Sequence, residues 1–145
     1  MQYKTIALTK DEILTFLKKV DNQFIPMPLS ESVDLPKYAT KLANLSTQFV
    51  CYINDEIAGM TACYLNNLKT KKAFISVTVI DSRHKGKGIG KTLTKLCEAE
   101  AKNQGFSFVE FEVNKSNNPS IQMHLTIGYT VDREEGESFY MIKKI

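Results

Sequence analysis

The chain has 145 residues, of which 43% are hydrophobic, and a formal net charge of +3. This length and composition are enough for one hydrophobic core, so we expect a single domain over residues 1–145. The modest charge argues against a nucleic-acid-binding surface, and no apolar run approaches the length needed to cross a membrane.

The cysteines and the N-terminus bear on the compartment in which the protein works. Cys51, Cys63 and Cys97 are odd in number and widely spaced, and no C-x-x-C pair occurs. With only two histidines beside them, they predict neither a disulfide framework nor a metal site. Because the N-terminus also lacks the apolar core of a signal peptide, we expect a cytoplasmic protein.

The first half of the chain shows the patterns of three strands and two helices. Thr9 followed by Glu12 forms a capping box ahead of a helical apolar periodicity that continues to Val20. Asn54 and Asp55, between two apolar segments, are typical of a tight hairpin. The predicted order is strand 3–8, helix 9–20, an irregular link over 21–35, helix 36–45, and strands 47–53 and 56–65.

The second half alternates strands with helices. A run rich in Phe, Ile, Val and Thr over 73–80 predicts a mostly buried strand, and helical spacing begins at Ile89 and stops before Gly105. The predicted order is strand 73–80, helix 89–102, strand 107–113, helix 117–127, and strands 130–132 and 138–145. Together the two halves predict a mixed α/β (α+β) fold.

The turn after strand 73–80 concentrates glycine and lysine, and it reads KGKGIGK over residues 85–91. Residues without a Cβ atom let an anion approach closely, and the start of a helix leaves backbone N–H groups unpaired. The turn therefore has the ingredients of a pyrophosphate site. The alternative is a solvated basic loop before an ordinary helix.

Two common phosphate-binding motifs fail on spacing. A P-loop that ends in Gly90, Lys91 and Thr92 requires a glycine at position 85, which is Lys85. A dinucleotide G-x-G-x-x-G requires a third glycine at 91 or 93, where Lys91 and Leu93 stand.

The pattern that remains is (Arg or Gln)-x-x-Gly-x-(Gly or Ala), and in it the sequence resembles the GNAT superfamily of acyl-CoA-dependent N-acyltransferases. Two registers fit. Arg83, Gly86 and Gly88 match literally, whereas Lys85, Gly88 and Gly90 place Lys where the family has Arg or Gln. We prefer the second register because it agrees with the family in the position of the following helix.

A second segment carries the same resemblance. The family pattern Asn-x-x-Ala-x-x-x-Tyr-x-x-x-Gly-Phe falls on Asn117, Ser120, His124, Gly128 and Tyr129, where Asn, Gly and the aromatic residue match. The element order also agrees over nearly the whole chain. The resemblance implies the GNAT fold, a central mixed and mainly antiparallel twisted sheet flanked by helices.

The resemblance further implies acetyl-CoA (coenzyme A) as cofactor, bound between the splayed strands 73–80 and 107–113. Backbone groups of Val79 and Ile80 would pair with the pantetheine amides, and Asn117 would contact the pantetheine arm. The turn would hold the pyrophosphate, and its implied binding residues are Lys85, Gly86, Lys87, Gly88, Ile89, Gly90 and Lys91.

Catalysis in such proteins is implied to be direct attack of a neutral amine, from a small molecule or a protein, on the thioester. His124 occupies the position of the family's tyrosine, so we interpret it as a general acid; the alternative is a packing histidine. The position of a glutamate found in some members is Phe74. Glu112, together with Glu110 on the same strand, is then the candidate general base, and the alternative is a solvated strand face.

Another class of function stays open at this point. Phe74 and His124 depart from common catalytic residues, which favours a non-catalytic CoA-binding sensor or interaction module of the same fold as the alternative to an N-acetyltransferase. The final strand, 138–145, offers an edge for pairing two subunits into a homodimer.

Overall fold

A computed structural model describes residues 1–145 as seven strands and four α-helices. The strands are β1 (Gln2–Thr5), β2 (Thr47–Ile53), β3 (Glu56–Tyr64), β4 (Lys72–Ile80), β5 (Phe108–Asn114), β6 (Thr130–Glu135) and β7 (Ser138–Lys144). The helices are α1 (Lys10–Val20), α2 (Leu35–Leu45), α3 (Ile89–Asn103) and α4 (Asn118–Thr126). One sheet has the order β1-β2-β3-β4-β5-β7-β6, in which only β4 and β5 run parallel. The predicted mixed, mainly antiparallel sheet flanked by helices is confirmed.

Local sequence signals account for the ends of several elements. The Thr9 hydroxyl accepts from the Glu12 N–H over 3.1 Å, and the Glu12 carboxylate accepts from the Thr9 N–H over 2.9 Å, which completes the capping box. Asn54 and Asp55 both have positive φ, as a two-residue hairpin turn requires. The first strand is shorter than predicted, because the Leu8 N–H donates to the side chain of Gln48 in β2 instead of to a backbone carbonyl of that strand.

The sheet carries a hydrophobic cluster on each face, and β4 contributes to both. Ala73 and Ile75 pack on the side of α3, whereas Val77 and Val79 pack on the side of α1 and α2. The change of face occurs at Ser76, which has no register partner because Ala62 pairs with Val77 and Cys63 with Ile75. A bulge bends the strand that contains it, and β4 and β5 diverge from this point onward.

The position of β7 corrects the prediction of an edge strand at 138–145. β7 lies between β5 and β6, so both of its backbone edges are paired, and the free edges of the sheet belong to β1 and β6. Sequence alone placed the last strand at the edge because it could not show that β6 folds outward from β7. None of the helices is long and apolar enough to cross a membrane.

Candidate functional site

A cavity opens where β4 and β5 diverge. Their pairing ends at Ile75 and Phe111, although β4 continues for five more residues to Ile80. The cavity has a volume of about 560 Å³ and is lined by the end of β4, the glycine turn, the start of α4 and the segment before α2. A gap between parallel strands leaves backbone groups for a ligand to pair with.

The free edge of β4 presents Thr78 and Ile80. The Asp81 N–H donates to the Ala58 carbonyl of β3 over 2.8 Å, and antiparallel alternation then directs the backbone groups of Val79 at β3. The prediction that Val79 offers its backbone to a ligand is therefore corrected: Val79 lines the cavity, but Thr78 and Ile80 carry the groups that face the gap. Residue alternation alone could not choose between the two sets.

The turn that follows β4 is built around glycine backbone geometry. Gly86 and Gly88 have φ of +81° and +75°, a region that residues with a Cβ atom rarely adopt. The N–H groups of residues 86 to 91 have no hydrogen-bond acceptor within the protein, and those of residues 89 to 91 belong to the first turn of α3. Such a row of free amides at a helix start favours an anionic ligand.

The basic side chains around this turn divide into two groups. Lys85 and Lys91 line the cavity and lie in no ion pair, whereas Lys87 lies outside it, with its Nζ 3.2 Å from the His84 Nδ1. Arg83 is turned away and binds the Asp81 carboxylate at 3.0 Å. The structure thus places Lys85, rather than Arg83, beside the cavity.

Asn117 lies at the start of α4 and lines the cavity from the β5 side. Its side-chain oxygen accepts from the Ser120 N–H over 3.3 Å, which caps the helix, and its amide nitrogen has no hydrogen-bond partner in the protein. This leaves a donor available to a ligand.

His124 is packed tightly but reaches the cavity. Its ring lies 4.1 Å from that of Phe111 and 5.2 Å from that of Tyr129, and the residue is 3% exposed. The Nδ1 is 2.8 Å from the Ser120 carbonyl oxygen, and burial lowers the pKa of His124 below its ordinary value. The Nε2 has no hydrogen-bond partner in the protein. It is also not fully enclosed, since the Tyr64 hydroxyl is the only fully enclosed side-chain polar atom that lacks a partner.

The two candidate carboxylates of β5 have different surroundings. Glu110 is buried and paired with Lys72 at 3.6 Å and with Arg133 at 3.5 Å. Glu112 is exposed, forms no ion pair and lines a second cavity of about 190 Å³ that adjoins the first. The structure therefore brings Glu112, but not Glu110, into the same region as His124, which lines both cavities.

Sequence reasoning missed a hydroxyl pair in the second cavity. Tyr38 of α2 forms a hydrogen bond with Ser76, the bulged residue of β4. Burial raises the pKa of Tyr38 to about 12, so the phenol stays neutral at physiological pH. No local signal marks either residue, because the pairing of β3 with β4 creates the bulge and a helix distant in sequence supplies the tyrosine.

Gln23 is a second residue without a sequence signal. Its amide nitrogen donates to the Ile80 carbonyl over 2.6 Å, and its amide oxygen accepts from the Ser82 N–H over 2.9 Å. The side chain thereby occupies part of the free edge of β4, and it fastens the segment between α1 and α2 to the cavity wall. The length of that segment was the only available hint.

Comparison with known sequences identifies one family. The family described as "Acetyltransferase (GNAT) family" matches residues 15–129. An uncharacterized N-acetyltransferase of Methanocaldococcus jannaschii is 28% identical over 101 residues, a match that covers 67% of this chain and 45% of the relative. The chain thus spans less than half the length of that relative.

Comparison with solved structures shows the fold. The PaiA N-acetyltransferase of Thermoplasma acidophilum, in complex with coenzyme A, has a TM-score of 0.82 at 17% identity, with 100% of both chains covered. An acetyltransferase of the GNAT family from Streptococcus pneumoniae has a TM-score of 0.76 at 18% identity, with 99% of both chains covered. A structure from Bacillus anthracis in complex with acetyl coenzyme A has a TM-score of 0.63 at 14% identity, covering 70% of this chain and 63% of that one.

Proposed function

Because the chain belongs to the acetyltransferase (GNAT) family, we propose that it transfers the acetyl group of acetyl-CoA to the primary amine of an acceptor by direct attack. One observation carries the proposal: the free edge of β4 leads directly into a turn with six consecutive unpaired backbone N–H groups. An extended amide-bearing arm that ends in a pyrophosphate has matching chemistry in the same order along the molecule.

The residues present fit coenzyme A. The backbone groups of Thr78 and the N–H of Ile80, whose carbonyl already accepts from Gln23, would pair with the amides of the pantetheine arm. The amide nitrogen of Asn117 would contact the same arm. The turn over residues 85–91 would hold the pyrophosphate through backbone N–H groups, with Lys85 and Lys91 adding charge. Lys87 lies outside the cavity wall, so for this residue we propose only a contribution to the positive potential at its mouth.

The chemistry is an acyl transfer from sulfur to nitrogen. Acetyl-CoA supplies a thioester, which is an activated acyl group. The amine nitrogen forms a bond to the acetyl carbon, the carbon–sulfur bond breaks, and the sulfur leaves with the bonding electrons. A backbone N–H on the free edge of β4 would stabilise the negative charge that develops on the carbonyl oxygen.

Two side chains are proposed for the proton transfers. His124 would protonate the leaving sulfur from its Nε2, the ring nitrogen that is free to face the cavity. Glu112 would receive the proton that the acceptor's ammonium must lose before attack, since it is the carboxylate of the adjoining cavity and has no cationic partner. Both roles rest on placement, since His124 lines both cavities and Glu112 lines the second.

Two measurements test this function. Isothermal titration calorimetry should detect binding of acetyl-CoA to the wild-type protein, and a thiol-reagent assay should show CoA release that depends on an added amine. If millimolar acetyl-CoA gives no heat, both the coenzyme site and the function are wrong. Binding without amine-dependent release from any member of a broad amine panel would favour the non-catalytic CoA-binding module instead.

We also propose a cytoplasmic location and a homodimer. Three free, buried cysteines support a reducing compartment. With β7 in the interior of the sheet, β6 is the strand near the C-terminus that remains available for pairing between two copies. Light scattering coupled to size-exclusion chromatography gives the mass in solution, and a monomer at all concentrations would exclude the dimer.

A further inference from the structure

The second cavity meets the first at His124. Six residues line both cavities, and among them Thr78 and His124 belong to the site proposed for the thioester. No residue of α3 lines the second cavity, so a molecule there approaches Thr78 and His124 from a side that α3 does not occupy. This makes the second cavity the place from which an acceptor approaches.

The charge of this second cavity is negative. Among its 15 lining residues, Glu112 is the only one with a permanently charged side chain, and no lysine or arginine is present. Two basic side chains on the same face of the sheet, Lys72 and Arg133, are both paired with Glu110. An ammonium group is favoured in this cavity, and a second carboxylate would meet Glu112 without a compensating cation.

The walls of the cavity are mainly apolar, since eight of the 15 lining residues are hydrophobic. Ile75, Val77 and Val113 come from the splayed strands, and Phe24 and Leu29 come from the segment between α1 and α2. A volume of about 190 Å³ corresponds to roughly six water molecules at about 30 Å³ each. A polyhydroxylated ring would leave most of its hydroxyls unpaired against such walls. A volume of this size holds a compact molecule, and any longer chain would have to extend out of the cavity.

Ser76 and Glu112 directly follow the last paired residues of β4 and β5, so they stand on the two sides of the strand gap where it begins. The paired hydroxyls of Tyr38 and Ser76 offer acceptor lone pairs, and Glu112 offers two more oxygens. One ammonium group can use both sources, because Tyr38 and Ser76 lie across the strand gap from β5. The apolar body of the molecule then lies against the hydrophobic walls.

Resting on the proposed acetyl transfer, we propose that the second cavity binds the acceptor and selects a compact primary amine that has an apolar body and carries no carboxylate. Glu112 is the residue that sets this selectivity, through attraction of the ammonium and repulsion of an acid group. Amino acids are then poor acceptors because of their carboxylate, amino sugars because of their hydroxyls, and peptide N-termini because of their size.

A matched pair of acceptors tests whether the charge of Glu112 sets the selectivity. 2-Phenylethylamine and L-phenylalanine differ only by the α-carboxylate, and we expect kcat/KM with acetyl-CoA to be at least about tenfold higher for the amine. In Glu112→Gln the ratio should fall to within about threefold. Any loss of proton transfer in the variant affects both acceptors equally and cancels in the ratio. Glu137→Gln, which removes an exposed and unpaired carboxylate outside this cavity, should keep the wild-type ratio.

A third acceptor tests whether the second cavity limits the size of the acceptor. An alanine-initiated tetrapeptide amide has a primary amine and no carboxylate, and we expect its kcat/KM to be at least about tenfold below that of 2-phenylethylamine. Equal use of phenylalanine, a ratio unchanged in Glu112→Gln, or a preference for the peptide would each overturn the selectivity. Absence of CoA release with every amine would overturn the acetyl transfer itself, so the two failures are distinguishable.

Discussion

The Nδ1 of His124 lies 2.8 Å from the backbone carbonyl oxygen of Ser120, one turn earlier in α4. A carbonyl oxygen can only accept a hydrogen bond, so Nδ1 carries the proton, and Nε2 is an acceptor whenever the ring is neutral. Burial lowers the pKa of His124, which favours this neutral form at pH 7. A general acid at this position must therefore act through the protonated imidazolium form, which is the minor form at pH 7.

This relationship predicts the pH dependence of catalysis. If His124 protonates the leaving sulfur, kcat at saturating substrates should contain a limb that falls as pH rises through a pKa below about 6.5. His124→Gln should remove that limb and lower kcat by about 100-fold. His84→Gln changes the only other histidine and should keep the limb. Unchanged kcat across pH in His124→Gln would leave His124 with a packing role against Phe111.

Replacing Gly88 separates backbone strain from ligand binding. A Cβ atom at Gly88 would meet no other atom within 4 Å, so Gly88→Ala causes no steric clash with its surroundings. Its effect comes from backbone strain, because alanine rarely adopts a φ of +75°. We expect a stability loss of about 1 kcal/mol by urea unfolding and about tenfold weaker CoA binding by calorimetry, because the amide groups must reorient.

Gly105 provides the matched control for this variant. It has a φ of +95° after α3, its Cβ position meets only a leucine side chain at 3.7 Å, and it lies outside the cavity. Gly105→Ala should lose similar stability without any change in the affinity for CoA. Equal weakening of CoA binding in both variants would show that the turn has no special role.

The lysines in and after the same turn are predicted to contribute unequally to the affinity for CoA. Lys91 lines the cavity, whereas Lys95 lies one helical turn later and does not. Lys91→Ala should weaken CoA binding about fivefold at low salt, with a smaller effect at high salt, because a partly exposed charge is screened. Lys95→Ala should have almost no effect, and calorimetry at two salt concentrations checks both. Lys87→Ala is expected between the two, so an effect larger than that of Lys91→Ala would contradict the placement described above.

Local signals explain which parts of the fold were predictable. The capping box at Thr9, the hairpin turn at Asn54 and the glycine turn before α3 each depend on a few adjacent residues, and the sequence shows them directly. The bulge at Ser76 is different. Apolar residues alternate without a break from Ala73 to Val79, so only the pairing with β3 reveals that this series changes face.

The candidate site divides in the same way. The half proposed to face the coenzyme lies mostly in one continuous stretch, and the sequence pattern predicts it. The other half depends on contacts between distant segments: Gln23 and Ile80 are 57 positions apart, and Tyr38 and Ser76 are 38 apart. Side chains that act through such contacts carry no motif, since many sequences place a glutamine or a tyrosine on a helix or loop.

Asp81 at the end of β4 predicts an acid-sensitive contribution to stability. Arg83 holds the pKa of this buried carboxyl at about 2, below its ordinary 3.8, and Lys19 lies 3.5 Å away. The unfolded chain therefore binds the proton more readily, so the contribution is complete above about pH 4 and is lost as pH falls towards 2. Asp81→Asn should cost about 1–2 kcal/mol at pH 7, and the difference from wild type should shrink between pH 4 and 2.

Urea unfolding at several pH values checks this prediction. Glu137→Gln is the control, because Glu137 is exposed and its side chain forms no ion pair or hydrogen bond. It should leave stability unchanged at every pH. A difference between Asp81→Asn and wild type that persists at pH 2 would mean that packing or neutral hydrogen bonds, rather than the charge, account for the effect.

Gln23 should act on substrate binding through the segment that it fastens. Gln23→Leu keeps the size of the side chain but removes its hydrogen bonds to Ile80 at the end of β4 and to Ser82 in the turn that follows. The segment that lines both cavities then loses this attachment. We expect KM for the amine to rise about tenfold while kcat falls by less than about threefold, because no reacting group is changed. Gln104→Leu, which removes one exposed hydrogen bond to Glu100 at the end of α3, should change neither constant. A lower melting temperature with unchanged KM in Gln23→Leu would reduce Gln23 to a purely structural contact, since a loosened cavity wall must appear in substrate binding.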